Sequence, residues 1–295
     1  MSLTVLACGL VSPASSTPTI APVEATVPVP LAGLTAEQIR NAQYQLGARD
    51  DHAVVQLTDG QYQHGTDATT MDFAYVGLLS DFISIGDLTG DGVDEAAAIF
   101  VENYGGTGNF AFVTVYTNVN GLPVFSTSTL IDDRPMVNSV SIENSEVLLD
   151  AVIHGVNDGG CCPTLPTTRR YALVNNQLRI VHYTTDAPTG ARREIEIVSP
   201  SNEAEASGSV QVTGNISIAP FENNLSYFIY DEAGNELALG PVSVAAPDFG
   251  APGTFDLAIS LEGIPAGTII YLEIQDISAA DGSWLAMDAV KLFIK

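Results

Sequence analysis

From His52 to the C-terminus, apolar side chains recur at every second position in short runs, and Gly, Asn or Asp interrupts most of those runs. A period of two puts alternate side chains on opposite faces of a strand, whereas a helix needs a period near 3.6. Segments 53–58, 81–85, 96–102, 110–117, 137–142, 147–153, 170–174 and 178–183 therefore read as strands. Asp59-Gly60 and Asn120-Gly121 read as hairpin turns, because both positions of such a turn take a left-handed backbone. The clearest helical stretch is 34–46, LTAEQIRNAQYQL. Thr35 can cap it, Gln38 completes a capping box, Leu34, Ile39, Ala42 and Leu46 form an apolar side, and Gly47 stops it. One helix and many closely spaced strands predict an α+β or mainly β class, with an antiparallel sheet covered by a helix on one face.

A break falls at Asp186-Ala187-Pro188-Thr189-Gly190, and a second strand series follows it. Its segments are 194–198, 208–218, 225–231, 242–245, 253–261, 268–277 and 286–294. That spacing is expected of an immunoglobulin-like β-sandwich. Its core is predicted from Ile195, Ile197, Val210, Val212, Phe228, Tyr230, Phe255, Leu257, Tyr271, Leu272, Ile274 and Leu292. The predicted organisation is a signal remnant at 1–8, a tether at 9–33, an N-terminal domain at 34–186, a linker at 187–193 and the sandwich at 194–295.

Charge removes several function classes. Ten Lys and Arg face 35 Asp and Glu, a formal net charge of −25. Binding a nucleic-acid backbone needs clustered cations, so nucleic acid is excluded as a main partner. Docking on anionic lipid by charge is disfavoured for the same reason. Gly105-Gly106-Thr107-Gly108 lacks the Lys of a nucleotide-binding loop and reads as a flexible turn. His52, His64, His154 and His182 show no metal-ligand spacing, and no hydrolase motif with a Ser nucleophile or a zinc-binding His pair occurs.

At the N-terminus, Leu6-Ala7-Cys8-Gly9 resembles the bacterial lipobox, in which cleavage precedes a Cys that is then lipidated. Residues 11–32 are rich in Ser, Thr, Pro and Ala, with Pro13, Pro18, Pro22, Pro28 and Pro30, as in an extended tether. The apolar stretch before Cys8 is short for a secretory signal and carries no Lys or Arg. The resemblance implies lipidation at Cys8 and an extracytoplasmic protein held at the cell surface by its lipid. The alternative is an ordinary Cys in a Pro-rich end.

Residues 195–200 (Ile-Glu-Ile-Val-Ser-Pro), 212–215 (Val-Thr-Gly-Asn) and 221–225 (Phe-Glu-Asn-Asn-Leu) resemble the immunoglobulin-like domain of bacterial spore-germination proteins. Gly250-Ala251-Pro252-Gly253-Thr254-Phe255 and Ala280-Asp281-Gly282-Ser283 match its later loops. That resemblance implies a β-sandwich on exported proteins, without catalytic residues. The N-terminal half is similar to a less defined group of bacterial secreted lipoproteins in Asn41-Ala42-Gln43-Tyr44, 56–60, 86–95 and Cys161-Cys162-Pro163-Thr164. That likeness implies no reaction.

Two constellations could carry chemistry. In Asp87-Leu88-Thr89-Gly90-Asp91-Gly92-Val93-Asp94-Glu95, oxygen donors fall at alternating loop positions. Such a loop suits Ca²⁺, with Asp87, Thr89, Asp91 and Glu95 offering side-chain oxygens and Val93 its carbonyl. It resembles the Asp-Gly-Asp loops of FG-GAP-type repeats, with Thr89 where an acid or Asn is usual. The competing reading is a turn held by side-chain-to-backbone hydrogen bonds. Cys161 and Cys162 are adjacent, and a vicinal disulfide is expected in an oxidising compartment. A thiol site using His154 is the enzymatic alternative. Trp284 reads either as an exposed contact or as a cap on the sandwich core.

The expected function is a non-enzymatic, lipid-anchored surface protein that binds or supports the envelope, with an envelope protein or glycan as partner. The alternatives are a secreted hydrolase near Cys161 and His154, and a carbohydrate-binding module with a row of exposed aromatics on a sheet face.

Overall fold

The computed structural model describes residues 1–2, 4, 33–49 and 51–295. Cys8 and most of the expected tether lie outside the described residues. The chain divides into two compact units, Met1–Pro30 and Leu31–Lys295, and the second is described below.

It begins with α1 (Ala36–Arg40), β1 (Gln43–Gln45) and β2 (Val54–Gln56). A five-stranded antiparallel sheet follows: β3 (Gln61–His64), β4 (Ala74–Gly86), β5 (Glu95–Asn103), β6 (Phe110–Val119) and β7 (Leu122–Asp133). Next come β8 (Met136–Glu143), β9 (Glu146–Ile153), β10 (Leu165–Val174), β11 (Gln177–Asp186) and β12 (Arg192–Arg193). The last part holds β13 (Ile195–Ser199), β14 (Ala204–Ala206), β15 (Ser209–Ile216), β16 (Asn224–Asp231), β17 (Glu236–Ser243), β18 (Gly253–Ser260), β19 (Ile269–Ile277) and β20 (Trp284–Ile294). The chain is mainly β, with one short α-helix among the described residues.

The N-terminal part has three layers, and β5 explains why. Its sequence, EAAAIFVEN, is apolar on both faces. Ala96, Ala98 and Phe100 pack with Ile39, Tyr44, Leu46 and Leu57 beneath α1 and the β1–β2 hairpin. Ala97 and Ile99 face the other way and pack with Val147, Leu149, Ala151 and Tyr171 of β9 and β10. A strand buried on both faces must be sandwiched.

The helix is shorter than 34–46. Its capping box forms as expected, the Gln38 amide donating to Thr35 Oγ1 (3.2 Å) and the Thr35 amide to Gln38 Oε1 (2.9 Å). It ends at Arg40, and 43–45 is strand, antiparallel to β2. Tertiary burial of Tyr44 and Leu46 overrides the local helix preference there. Strand β7 also escapes the periodicity. Its Ser and Thr residues sit among half-buried positions on both faces, so no clean alternation marks it. Both hairpin turns form, with positive φ at Asp59, Gly60, Asn120 and Gly121.

The sandwich sets β13-β15-β18 against β17-β16-β19-β20. Ile195, Val212, Leu225, Ile229, Phe255, Leu272, Ile274 and Leu292 fill its core. Full burial of each large aliphatic among them contributes about 1.5–3 kcal/mol. Phe228, Tyr230 and Tyr271 were expected in that core and lie on the opposite faces of β16 and β19, since a one-residue shift in the chosen stripe reverses every side chain. On β16 the inward stripe is Leu225, Tyr227 and Ile229.

The outer sheet does not stop at β20. Strand β11 pairs with it antiparallel, His182 opposite Asp288, Tyr183 opposite Met287 and Thr184 opposite Ala286. One sheet therefore runs β17-β16-β19-β20-β11-β10-β9-β8, and the edge that β20 would otherwise expose is covered. Within 187–193, β12 pairs with β11 at Thr185–Arg193 and Asp186–Arg192.

Candidate functional site

The 87–95 loop joins β4 to β5. Gly90 (φ +77°) and Gly92 (φ +83°) supply the left-handed bends that a tight turn needs. The Asp87 carboxylate accepts from the amides of Gly90 (2.7 Å), Asp91 (3.2 Å) and Gly92 (2.9 Å). The Gly92 amide leads in holding that carboxyl below its ordinary pKa. Asp91 accepts from the Val93 amide at 2.8 Å. Glu95 is buried and accepts from the amides of Leu88 (3.0 Å) and Thr89 (3.1 Å), and burial pushes its pKa up. Among the described residues, no three His, Cys, Asp or Glu side chains gather closely enough to hold one ion. The calcium expectation rests on the sequence pattern alone.

Cys161 and Cys162 are joined to each other, with Cα atoms 3.7 Å apart, in the exposed loop between β9 and β10. Asp158 clamps that loop. It accepts from the Gly155 amide (2.8 Å), the Thr164 amide (2.7 Å) and the Thr164 hydroxyl (2.8 Å). These bonds, the Gly155 amide first, hold its pKa below the ordinary value. His154 Nδ1 lies 2.8 Å from Asp132, which also accepts the His154 amide at 2.6 Å. The histidine thus leans on a carboxylate while the two sulfurs are bonded together.

Four polar clusters had no sequence signature, because each depends on strands far apart in the chain. The first is Glu102, fully buried at the end of β5. Its carboxylate accepts from Tyr44 (2.7 Å), Tyr104 (2.7 Å), the Gly47 amide (2.7 Å) and the Ala48 amide (2.9 Å). Glu102 continues the Ala96, Ala98, Phe100 stripe, so period two places it under the β1 hairpin.

The other three lie where β10, β11 and β12 meet the sandwich. Arg179 donates to Glu273 at 2.6 Å and sits over the rings of Tyr271 (4.5 Å) and Tyr230 (5.1 Å). Arg193 donates to the buried Asp276 at 2.5 Å, and burial raises that carboxyl's pKa while the guanidinium opposes the rise. Beside them, Asp288 faces His182 Nδ1 at 2.9 Å, Arg170 at 3.3 Å and the Ile197 amide at 2.8 Å. Three arginines from 34–193 thus meet three acids from 194–295. Trp284 is about one-third exposed and packs edge-on against Tyr183, with centroids 6.2 Å apart.

The fold is that of a mainly β protein whose C-terminal part is an immunoglobulin-like sandwich. Residues 194–283 match the model of the immunoglobulin-like domain of bacterial spore germination. A search of curated proteins gave no match.

Proposed function

We propose that this is a non-enzymatic module of the bacterial cell surface, acting by binding or by supporting the envelope. The observation that carries the reading is the immunoglobulin-like domain at 194–283, whose outer sheet is extended by β11 of the N-terminal part. An interaction module gains from rigidity, because binding then costs little ordering. The bonded Cys161–Cys162 pair favours this reading over the thiol hydrolase, since a nucleophile must be a free thiolate. The proposal places the protein outside the cytoplasm, with Cys8 as its lipid attachment point and a membrane as its first partner. A single acyl chain binds only marginally, whereas two or more anchor stably. Detergent-phase partitioning of the exported full chain tests the anchor. The wild type enters the detergent phase, and Cys8→Ala shifts it to the aqueous phase. Equal partitioning of the two overturns lipid anchoring.

A further inference from the structure

One end of the sandwich carries an open cavity of about 650 Å³, bordered by the loops around 217–223, 246–252 and 278–285. Two aromatic rings stand at it, Phe221 (63% exposed) and Phe249 (73% exposed). Every other Phe among the described residues is buried or half-buried. Two exposed Phe side chains on one cavity leave apolar surface open to a ligand.

The backbone holds them there. Glu222 (φ +57°) and Asn223 (φ +54°) are consecutive non-glycine residues in the left-handed region directly after Phe221. The Val244 amide donates to the Asn223 carbonyl (2.8 Å) and the Ala219 amide to the Ala251 carbonyl (2.8 Å), so the loops are tied before any ligand arrives.

The lining selects the ligand's chemistry. Its one cation, Arg193, is taken by Asp276 at 2.5 Å, and Glu222 adds a negative charge, so an anionic ligand is not met. A peptide added as a further strand would need a free strand edge. Here β16 is paired on both sides by β17 and β19, and β19 by β16 and β20, so none is offered. The lining suits a molecule with flat apolar faces for the rings and uncharged hydrogen-bonding edges for groups such as Asn224, Ser226 and Ser278. We infer that this cavity binds an uncharged glycan, with pyranose faces stacked on Phe221 and Phe249. The inference rests on the binding-module reading above and gives it a site and a ligand class.

Titration calorimetry on the Cys8→Ala full chain tests it, with N-acetylglucosamine hexamer and cellohexaose as probes and a heparin hexasaccharide as the anionic control. The expected result is saturable binding of at least one uncharged probe and none of heparin. Phe221→Ala/Phe249→Ala should weaken that binding roughly tenfold or more. Leu239→Ala, at an exposed apolar position on β17 outside the cavity lining, should leave it unchanged. Matching melting curves for all three proteins establish that the variants fold. Failure of both uncharged probes to bind, tighter binding of heparin, or undiminished binding by the double variant overturns the site. Retention on whole envelope that survives the double substitution removes this site while leaving the broader binding reading standing.

Discussion

Arg179 of β11 donates to Glu273 of β19 at 2.6 Å, with the guanidinium over the rings of Tyr230 and Tyr271. Glu273 also accepts from Gln275 at 2.6 Å, so both its oxygens are engaged in a largely buried setting. A chain with ten cations against 35 acids has placed one of them where the N-terminal sheet joins the sandwich.

Removing that guanidinium strands a buried carboxylate. Arg179→Ala should cost about 3 kcal/mol, the lower end for a buried pair that loses one partner. Urea unfolding measures it, and the paired change Arg179→Met/Glu273→Leu should recover most of the loss. A loss below about 1 kcal/mol in the single variant would show that water solvates Glu273.

Tyr44 and Glu102 make the matching bond in the N-terminal core. Tyr44→Phe should cost about 2 kcal/mol, because it takes one of four donors from a buried carboxylate. Burial, with the Glu102 charge second, raises the Tyr44 pKa well above the ordinary value. Alkaline absorbance titration of the folded protein should therefore leave Tyr44 protonated, and unfolding should release it.

Asp158 should make the 155–164 loop sensitive to acid. Its folded-state pKa is lowered, so its contribution is present above the unfolded value of about 3.9 and is lost as pH falls through the folded value. Asp158→Asn should melt lower than wild type at pH 7, and the gap should close as pH drops below about 3.9. A gap that stays constant with pH would contradict the assignment.

The 87–95 loop separates amide closure from ion closure. Asp87 and Glu95 together accept five backbone amides, so Asp87→Asn should lower the melting temperature as much in EDTA as in millimolar calcium. A loss seen only in calcium would show that an ion closes the loop.

The sequence carried the strand periodicity, both Asn-Gly and Asp-Gly hairpins, the capping box of Thr35 and Gln38, and the sandwich with most of its core. These are local signals, written in spacing and turn chemistry. It did not carry β7, whose Ser and Thr blur the alternation, or the outward facing of Tyr230 and Tyr271, which depends on a partner strand. Arg179–Glu273, Arg193–Asp276 and the bonds of Tyr44, Gly47 and Ala48 to Glu102 join residues 54 to 94 positions apart, and spacing holds no record of such pairings. Nothing in the spacing marks Phe221 and Phe249, which only the loops bring to one cavity.

We propose that a surface of the folded chain, independent of its lipid, binds the bacterial envelope. Sedimentation of the Cys8→Ala full chain with purified bacterial envelope tests it directly. The account predicts saturable co-sedimentation that unlabelled protein competes away. A protein that stays in the supernatant at every envelope concentration would contradict it.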